Sequence, residues 1–209
     1  MEVMDESGQQ QEPVDGVEQE DASPGGAPQA ETMQSEEVES QPYADHRVLS
    51  LLFDTRVPVG KYIIRAGVLS LVPSLAIAFI LSLIGLGGEQ ALPQFEREAG
   101  PVFLFVLMVI VGPALETLFL GLGLWLLSFV LRDPVRKALG SCAIWAALHS
   151  SQALLWGPVV VWPFFVFSCA YLAWRRKSRW HALGVACGIH MFQNFLPGVL
   201  IAAGLPTSG

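Results

Sequence analysis

The run from Pro101 to Leu131, PVFLFVLMVIVGPALETLFLGLGLWLLSFVL, carries one charged side chain, Glu116. An uninterrupted apolar run of this length reads as a membrane span, since about 20 apolar residues cross a hydrocarbon core of roughly 30 Å. At 1.5 Å per residue the helix is roughly 46 Å long, so it must tilt, kink or protrude. Gly112-Pro113, one turn before Glu116, is the expected kink. A carboxylate at mid-span costs a few kcal/mol to insert, and such groups face the bundle interior and polar partners. The rest of the chain has to provide that bundle and those partners.

Four further apolar runs do so, at about 61–86, 135–156, 159–174 and 180–205. The expected fold is all-α, a polytopic membrane helix bundle of about five transmembrane spans. Residues 47–60 read as a juxtamembrane linker in which Val48, Leu49, Leu52 and Phe53 form a short amphipathic piece, either lying on the bilayer or packed as a pre-helix. Basic residues cluster at alternate connections: Arg47, Arg56, Lys61 and Arg65; then Arg132, Arg136 and Lys137; then Arg175, Arg176, Lys177 and Arg179. The positive-inside rule places these clusters and the N-terminus in the cytoplasm. Trp156, Trp162, Trp174 and Trp180 are expected in an interfacial aromatic belt. Topology accounts for the short basic clusters, so no nucleic-acid partner is expected.

Residues 1–46 are unlike the rest. They hold 13 of the 19 acidic residues and no Lys or Arg, whereas 47–209 hold all 12 basic residues. The N-terminal part is too polar to offset the entropy of ordering, so a disordered acidic tail is expected, preceding the transmembrane domain at 61–205. No cleavable signal peptide is expected, because a basic n-region and an early apolar core are both lacking. Cys142, Cys169 and Cys187 lie in apolar stretches without CxxC spacing and read as small buried hydrophobes.

Polar residues recur at one depth. Glu116 lies 16 residues before Arg132, His149 13 after Arg136, and His190 and Asn194 11 and 15 after Arg179. These separations correspond to roughly 24, 20, 17 and 22 Å along the spans. His190 and Asn194 are i and i+4 and share a helix face, as do Trp145 and His149. Gly112 and Gly123 lie on the Glu116 side of their span, and Gly184 and Gly188 form a GxxxG that favours close helix contact. A carboxylate beside an imidazole can hold and deprotonate a water. A second imidazole with an amide at i+4 offers donors to a developing oxyanion. Together these suit hydrolysis of a peptide bond. Glu116 with two histidines is also a Zn donor set with an open position, ranked lower because no HExxH occurs.

At these residues the chain resembles the CPBP family, the CAAX-protease and bacteriocin-processing (Abi) intramembrane proteins. The family pattern is Pro-x-x-Glu-Glu-x-x-x-Arg in one helix, Phe-x-x-x-His in the next and His-x-x-x-Asn/Asp in a later one. Pro113-Ala-Leu-Glu116-Thr117 matches the start of the first, Trp145-Ala-Ala-Leu-His149 the second with Trp for Phe, and His190-Met-Phe-Gln-Asn194 the third. Thr117 replaces the second Glu and Gly121 the Arg. In another register, Phe119-Leu120-Gly121 falls on the family's Phe-Arg-Gly, making Glu116 the second Glu and Leu115 the first. The Pro113 register keeps the catalytic carboxylate.

The resemblance implies a metal-independent glutamic intramembrane endopeptidase without cofactor, in the bacterial inner membrane. Glu116 and His149 would activate water, and His190 and Asn194 would stabilise the oxyanion. Its partners would be membrane lipids and a membrane-associated or prenylated peptide or protein substrate; the five-span bundle either closes its own cavity or forms a homo-oligomer. Thr117 and Gly121 favour the alternative of a non-catalytic CPBP-like scaffold, sensor or bacteriocin immunity factor. A transporter or proton relay ranks third, because no inverted repeat is visible.

Overall fold

In the computed structural model, residues 43, 45–86 and 100–203 are described. They are entirely helical apart from short turns: α1 Arg47–Phe53, α2 Val59–Leu83, α3 Pro101–Val106, a π-helical turn at Leu107–Val111, α4 Gly112–Leu127, α5 Pro134–Ser150, α6 Trp156–Trp174 and α7 Arg179–Ala202. The acidic tail, Tyr43 and Asp45–His46 excepted, and the connection at 87–99 lie outside the described residues.

Among the described residues, four helical rods are long and apolar enough to cross a membrane: Val59–Leu83, Pro101–Leu127, Trp156–Trp174 and Arg179–Ala202. The chain is an integral membrane protein. The expected fifth span, 135–156, is α5, which stops at Ser150 after 17 residues. At 1.5 Å per residue it is roughly 25 Å long, short of a hydrocarbon core of roughly 30 Å. Local polar side chains end it: Ser151 Oγ donates to the Leu148 carbonyl at 2.7 Å and Ser150 Oγ to the Leu154 carbonyl at 3.1 Å.

The helices are sorted by what they bury. On α2, Tyr62, Ala66, Gly67, Ser70 and Ser74 face inward, while Ile64, Val68, Val72, Phe79 and Ile80 are exposed. The lipid-facing surface is thus more apolar than the packed one, as expected where lipid tails rather than water surround the bundle. The central helix is α6, with 56% of its apolar window buried against 22–33% for the other three rods. It packs on α1, α2, α4, α5 and α7. The juxtamembrane piece is a packed pre-helix: Leu52 and Phe53 of α1 are buried, and the Leu52 carbonyl accepts a hydrogen bond from Tyr62 Oη.

Trp156, Trp174 and Trp180 lie at helix ends, and most of the tryptophans pack into the bundle. Trp174 is buried edge-on to Tyr62 with ring centroids 5.3 Å apart, and Trp156 packs against His149. Trp162 Nε1 donates to the Leu69 carbonyl at 2.8 Å. Of the four, only Trp180 is largely exposed, at 81%. Spacing along the sequence places a tryptophan near a span end but not on a face; here the bundle claims three of them.

The expected small-residue contacts are also only partly present. A Cβ at Gly188 would lie 2.9 Å from Ile63 Cδ1, so α2 and α7 meet closely there, but at Gly184 and Gly123 nothing lies within 4 Å. The tightest approach is at Gly157, where a Cβ would lie 2.4 Å from the Ala146 carbonyl oxygen. That neighbour is backbone and cannot step aside. Gly157→Ala is expected to destabilise the α5–α6 hairpin by about 1–3 kcal/mol. Gly123→Ala is expected to be neutral or stabilising by up to about 1 kcal/mol. Unfolding midpoints of the detergent-solubilised proteins check both.

Candidate active site

Three helices carry prolines in their interiors, and two of these lie against the same region of the bundle. Proline has no N–H, so in an α-helix the carbonyl four residues earlier loses its donor. In a bilayer core no water replaces it. Pro73 withholds a donor from Leu69, whose carbonyl takes the Trp162 indole N–H instead. Pro163 withholds one from Val159, whose carbonyl accepts from Ser74 Oγ at 2.9 Å. The two bonds run in opposite directions between α2 and α6 and fix their mutual register.

The Gly112-Pro113 region behaves similarly, with one extra residue in the turn. The Gly112 N–H reaches back to the Leu107 carbonyl, a π-helical bond. In that register the Met108 carbonyl would need the N–H of residue 113, which is proline. Asn194 of α7 supplies the donor: its Nδ2 donates to the Met108 carbonyl at 3.0 Å. The expected kink is therefore a π turn whose orphaned carbonyl is satisfied from another helix. Such turns are often found at functional sites.

One turn later Glu116 projects from α4 into a cavity of about 310 Å³, which His149, His190 and Asn194 also line. All four residues singled out from the sequence thus share one cavity. Their pairing differs from expectation. The imidazole near Glu116 belongs to His190, with Nε2 3.6 Å from Oε2, and not to His149. That separation exceeds a direct hydrogen bond.

His149 is held elsewhere. Its Nδ1–H donates to the Trp145 carbonyl at 2.8 Å, which leaves Nε2 as the free nitrogen. Its ring lies edge-on to Trp156 at 4.4 Å and against Phe164 at 5.1 Å. Phe164 stacks on Trp145 at 4.6 Å and also touches the His190 ring at 5.5 Å. Phe167 stacks on His190 at 4.5 Å. An aromatic wall from α6 therefore fixes both imidazoles. His149 and His190 are only 5% and 4% exposed, while the Glu116 side chain retains 33%, so the carboxylate is the accessible member.

The positions that depart from the CPBP pattern are packed. A Cβ at Gly121 would meet Tyr171 Oη at 3.0 Å, leaving no room for a long side chain. Thr117 is buried, whereas Leu115 is 52% exposed on the outer face. The Pro113 register therefore puts the second position of the pair inside the bundle, and the other register puts the first outside. Among the described residues, no group of three or more His, Cys, Asp or Glu side chains is gathered closely enough to hold a metal ion.

Sequence reasoning missed the residues that hold the site in place. Ser70 Oγ donates to Gln193 Oε1 at 2.8 Å, a buried bond between α2 and α7 beside Asn194. Ser70 and Ser74 at i and i+4 in an otherwise apolar stretch of α2 were the available signal. Nothing local marked Phe164 and Phe167 within a continuously apolar helix. Compared with known proteins, the chain matches no family model, no curated protein and no solved structure.

Removing the Asn194 amide leaves the Met108 carbonyl without that donor, so Asn194→Ala is expected to cost about 1–3 kcal/mol. In a Pro113→Ala background the restored N–H can reach that carbonyl. The cost of Asn194→Ala is then expected to fall by about 1 kcal/mol, read as the coupling term of a double-mutant cycle on unfolding.

Proposed function

We propose that the protein is an intramembrane endopeptidase of the CPBP type. It hydrolyses a peptide bond of a membrane-associated or prenylated peptide or protein. The observation that carries this reading is the Glu116 carboxylate facing a buried imidazole across 3.6 Å within a cavity that also holds His149 and Asn194. The motif order in the sequence supports it.

In this reading Glu116 holds a water and takes its proton. The resulting hydroxide attacks the substrate carbonyl carbon, and the proton passes to the leaving amine as the C–N bond breaks. His190, across from Glu116, orients the water. His149, with Nδ1 committed to Trp145, presents Nε2 to the oxyanion when protonated. This exchanges the roles that the resemblance implies for the two histidines. Asn194 has one amide hydrogen committed to Met108 and a second available to the oxyanion. No cofactor is required.

The bundle brings its basic connections together at one end. Lys177 Nζ in the α6–α7 turn donates to the Thr55 carbonyl in the α1–α2 connection at 2.6 Å. Tyr43 lies within electrostatic reach of Asp133, in the α4–α5 connection, and of Arg176. We take this end as cytoplasmic, with the N-terminus there and the protein in the bacterial inner membrane.

Thr117 and the close-packed Gly121 favour a second reading, a non-catalytic CPBP-like scaffold, sensor or immunity factor that binds a membrane partner in the same cavity. The test is cleavage of a library of short and prenylated peptides by the protein in nanodiscs. Wild type is expected to cleave with or without chelator. Glu116→Gln is expected to lose at least about 100-fold in kcat while staying folded, and His149→Ala to lose a comparable factor. Loss on chelation would indicate a metal enzyme, and no cleavage by folded wild type would favour the non-catalytic reading.

A further inference from the structure

The proline pattern is incomplete at one place. Inside α2, α6 and the α3–α4 rod, each carbonyl that a proline orphans is bonded by a side chain from another helix: Leu69 by Trp162, Val159 by Ser74 and Met108 by Asn194. Even Leu154, four residues before Pro158 at the start of α6, accepts from Ser150 Oγ. The remaining interior proline is Pro197 of α7, which withholds its N–H from the Gln193 carbonyl. Among the described residues no side chain donates to that carbonyl. Gln193 and Pro197 lie one turn apart on the same helix face, and both line the cavity that holds Glu116 and His190.

This turn of α7 is rigidly held. Gln193 is buried and its side chain is bonded to Ser70 of α2; the next residue, Asn194, is bonded to Met108. At Gly198 a Cβ would lie 2.4 Å from Val109 Cγ2, so the π turn packs directly against it. A main-chain acceptor on a helix turn that lines the same cavity as the Glu116 carboxylate, along with Phe164, Phe167 and Leu200, has the character of a peptide-binding group. Extended peptides carry main-chain N–H groups that must find acceptors once they leave water.

We propose that the main-chain carbonyl of Gln193, freed by Pro197, is a substrate-binding subsite that accepts an N–H from the backbone of an extended peptide next to the scissile bond. The proposal rests on the endopeptidase reading and names how that site recognises its substrate. Recognition of this kind is independent of side chains. It holds the peptide in register against Glu116.

The experiment uses a peptide cleaved by wild type in nanodiscs and the set of its analogues in which each amide N–H in turn is replaced by an ester oxygen. Pro197→Ala returns an N–H to the Gln193 carbonyl and is expected to leave the unfolding midpoint unchanged or raised. It is expected to raise KM by about 5–10-fold with kcat nearly unchanged, the signature of lost uniform binding. One ester analogue is expected to show the same KM rise with wild type and no further rise with Pro197→Ala, because both changes delete the same bond. A merely structural effect of Pro197→Ala would add to that of every analogue, and would overturn the proposal. An unchanged KM for Pro197→Ala would overturn it too, leaving the endopeptidase reading intact. Absence of any cleavage by wild type would overturn both.

Discussion

A backbone carbonyl in lipid has to find a donor inside the protein, and this bundle is organised by the carbonyls its own prolines orphan. Indole, hydroxyl and amide donors from neighbouring helices reach across to the carbonyls of Leu69, Val159 and Met108. Each such bond is modest, about 1 kcal/mol in a membrane. Its effect on register is larger than its energy implies, because sliding a helix by one turn would leave both a carbonyl and a donor unpaired. Trp162 and Ser74 lock α2 to α6, and Asn194 locks α7 to the π turn. The cavity lies among these three contacts.

That arrangement explains how a glutamate is accommodated in the longest apolar run. The π turn at Leu107–Val111 inserts one residue before Gly112 and so rotates the following helix relative to the preceding one. Glu116 then faces His190 and the cavity, while Leu115, Leu118 and Phe119 face outward. The His190 ring is held by stacking on Phe167, and the His149 ring by its contact with Phe164 and its bond to the Trp145 carbonyl, so neither depends on Glu116 for its position. A pre-set imidazole beside a carboxylate that retains access is a geometry suited to holding water.

Much of this could be read from residue order. Apolar runs bounded by Gly, Pro and basic clusters gave the helices to within a few residues, since insertion into lipid demands both length and apolarity. The common layer of Glu116, His149, His190 and Asn194 followed from counting residues from the basic ends, because a helix rises a fixed distance per residue. The fifth run was harder: α5 is less apolar than the four rods and ends at Ser150, where serine hydroxyls satisfy local carbonyls. The packing of the tryptophans was not legible, since linear position gives depth and not the face a ring occupies. Gly123 and Gly184 face open surroundings, whereas Gly157 carries the closest backbone contact.

The sequence by itself determined that this chain inserts in a membrane as helices, that one carboxylate lies within a span, and that two histidines and an asparagine lie at its depth. These are one-dimensional properties, set by composition, periodicity and rise per residue. Only the tertiary structure decided that His190 and not His149 faces Glu116, that Asn194 serves Met108, and that Gly121 has no room for a longer side chain. Those outcomes depend on helix rotation about the axis and on which neighbour lies across the gap. Both are fixed by contacts between residues tens of positions apart, such as Ser74 with Val159 and Met108 with Asn194.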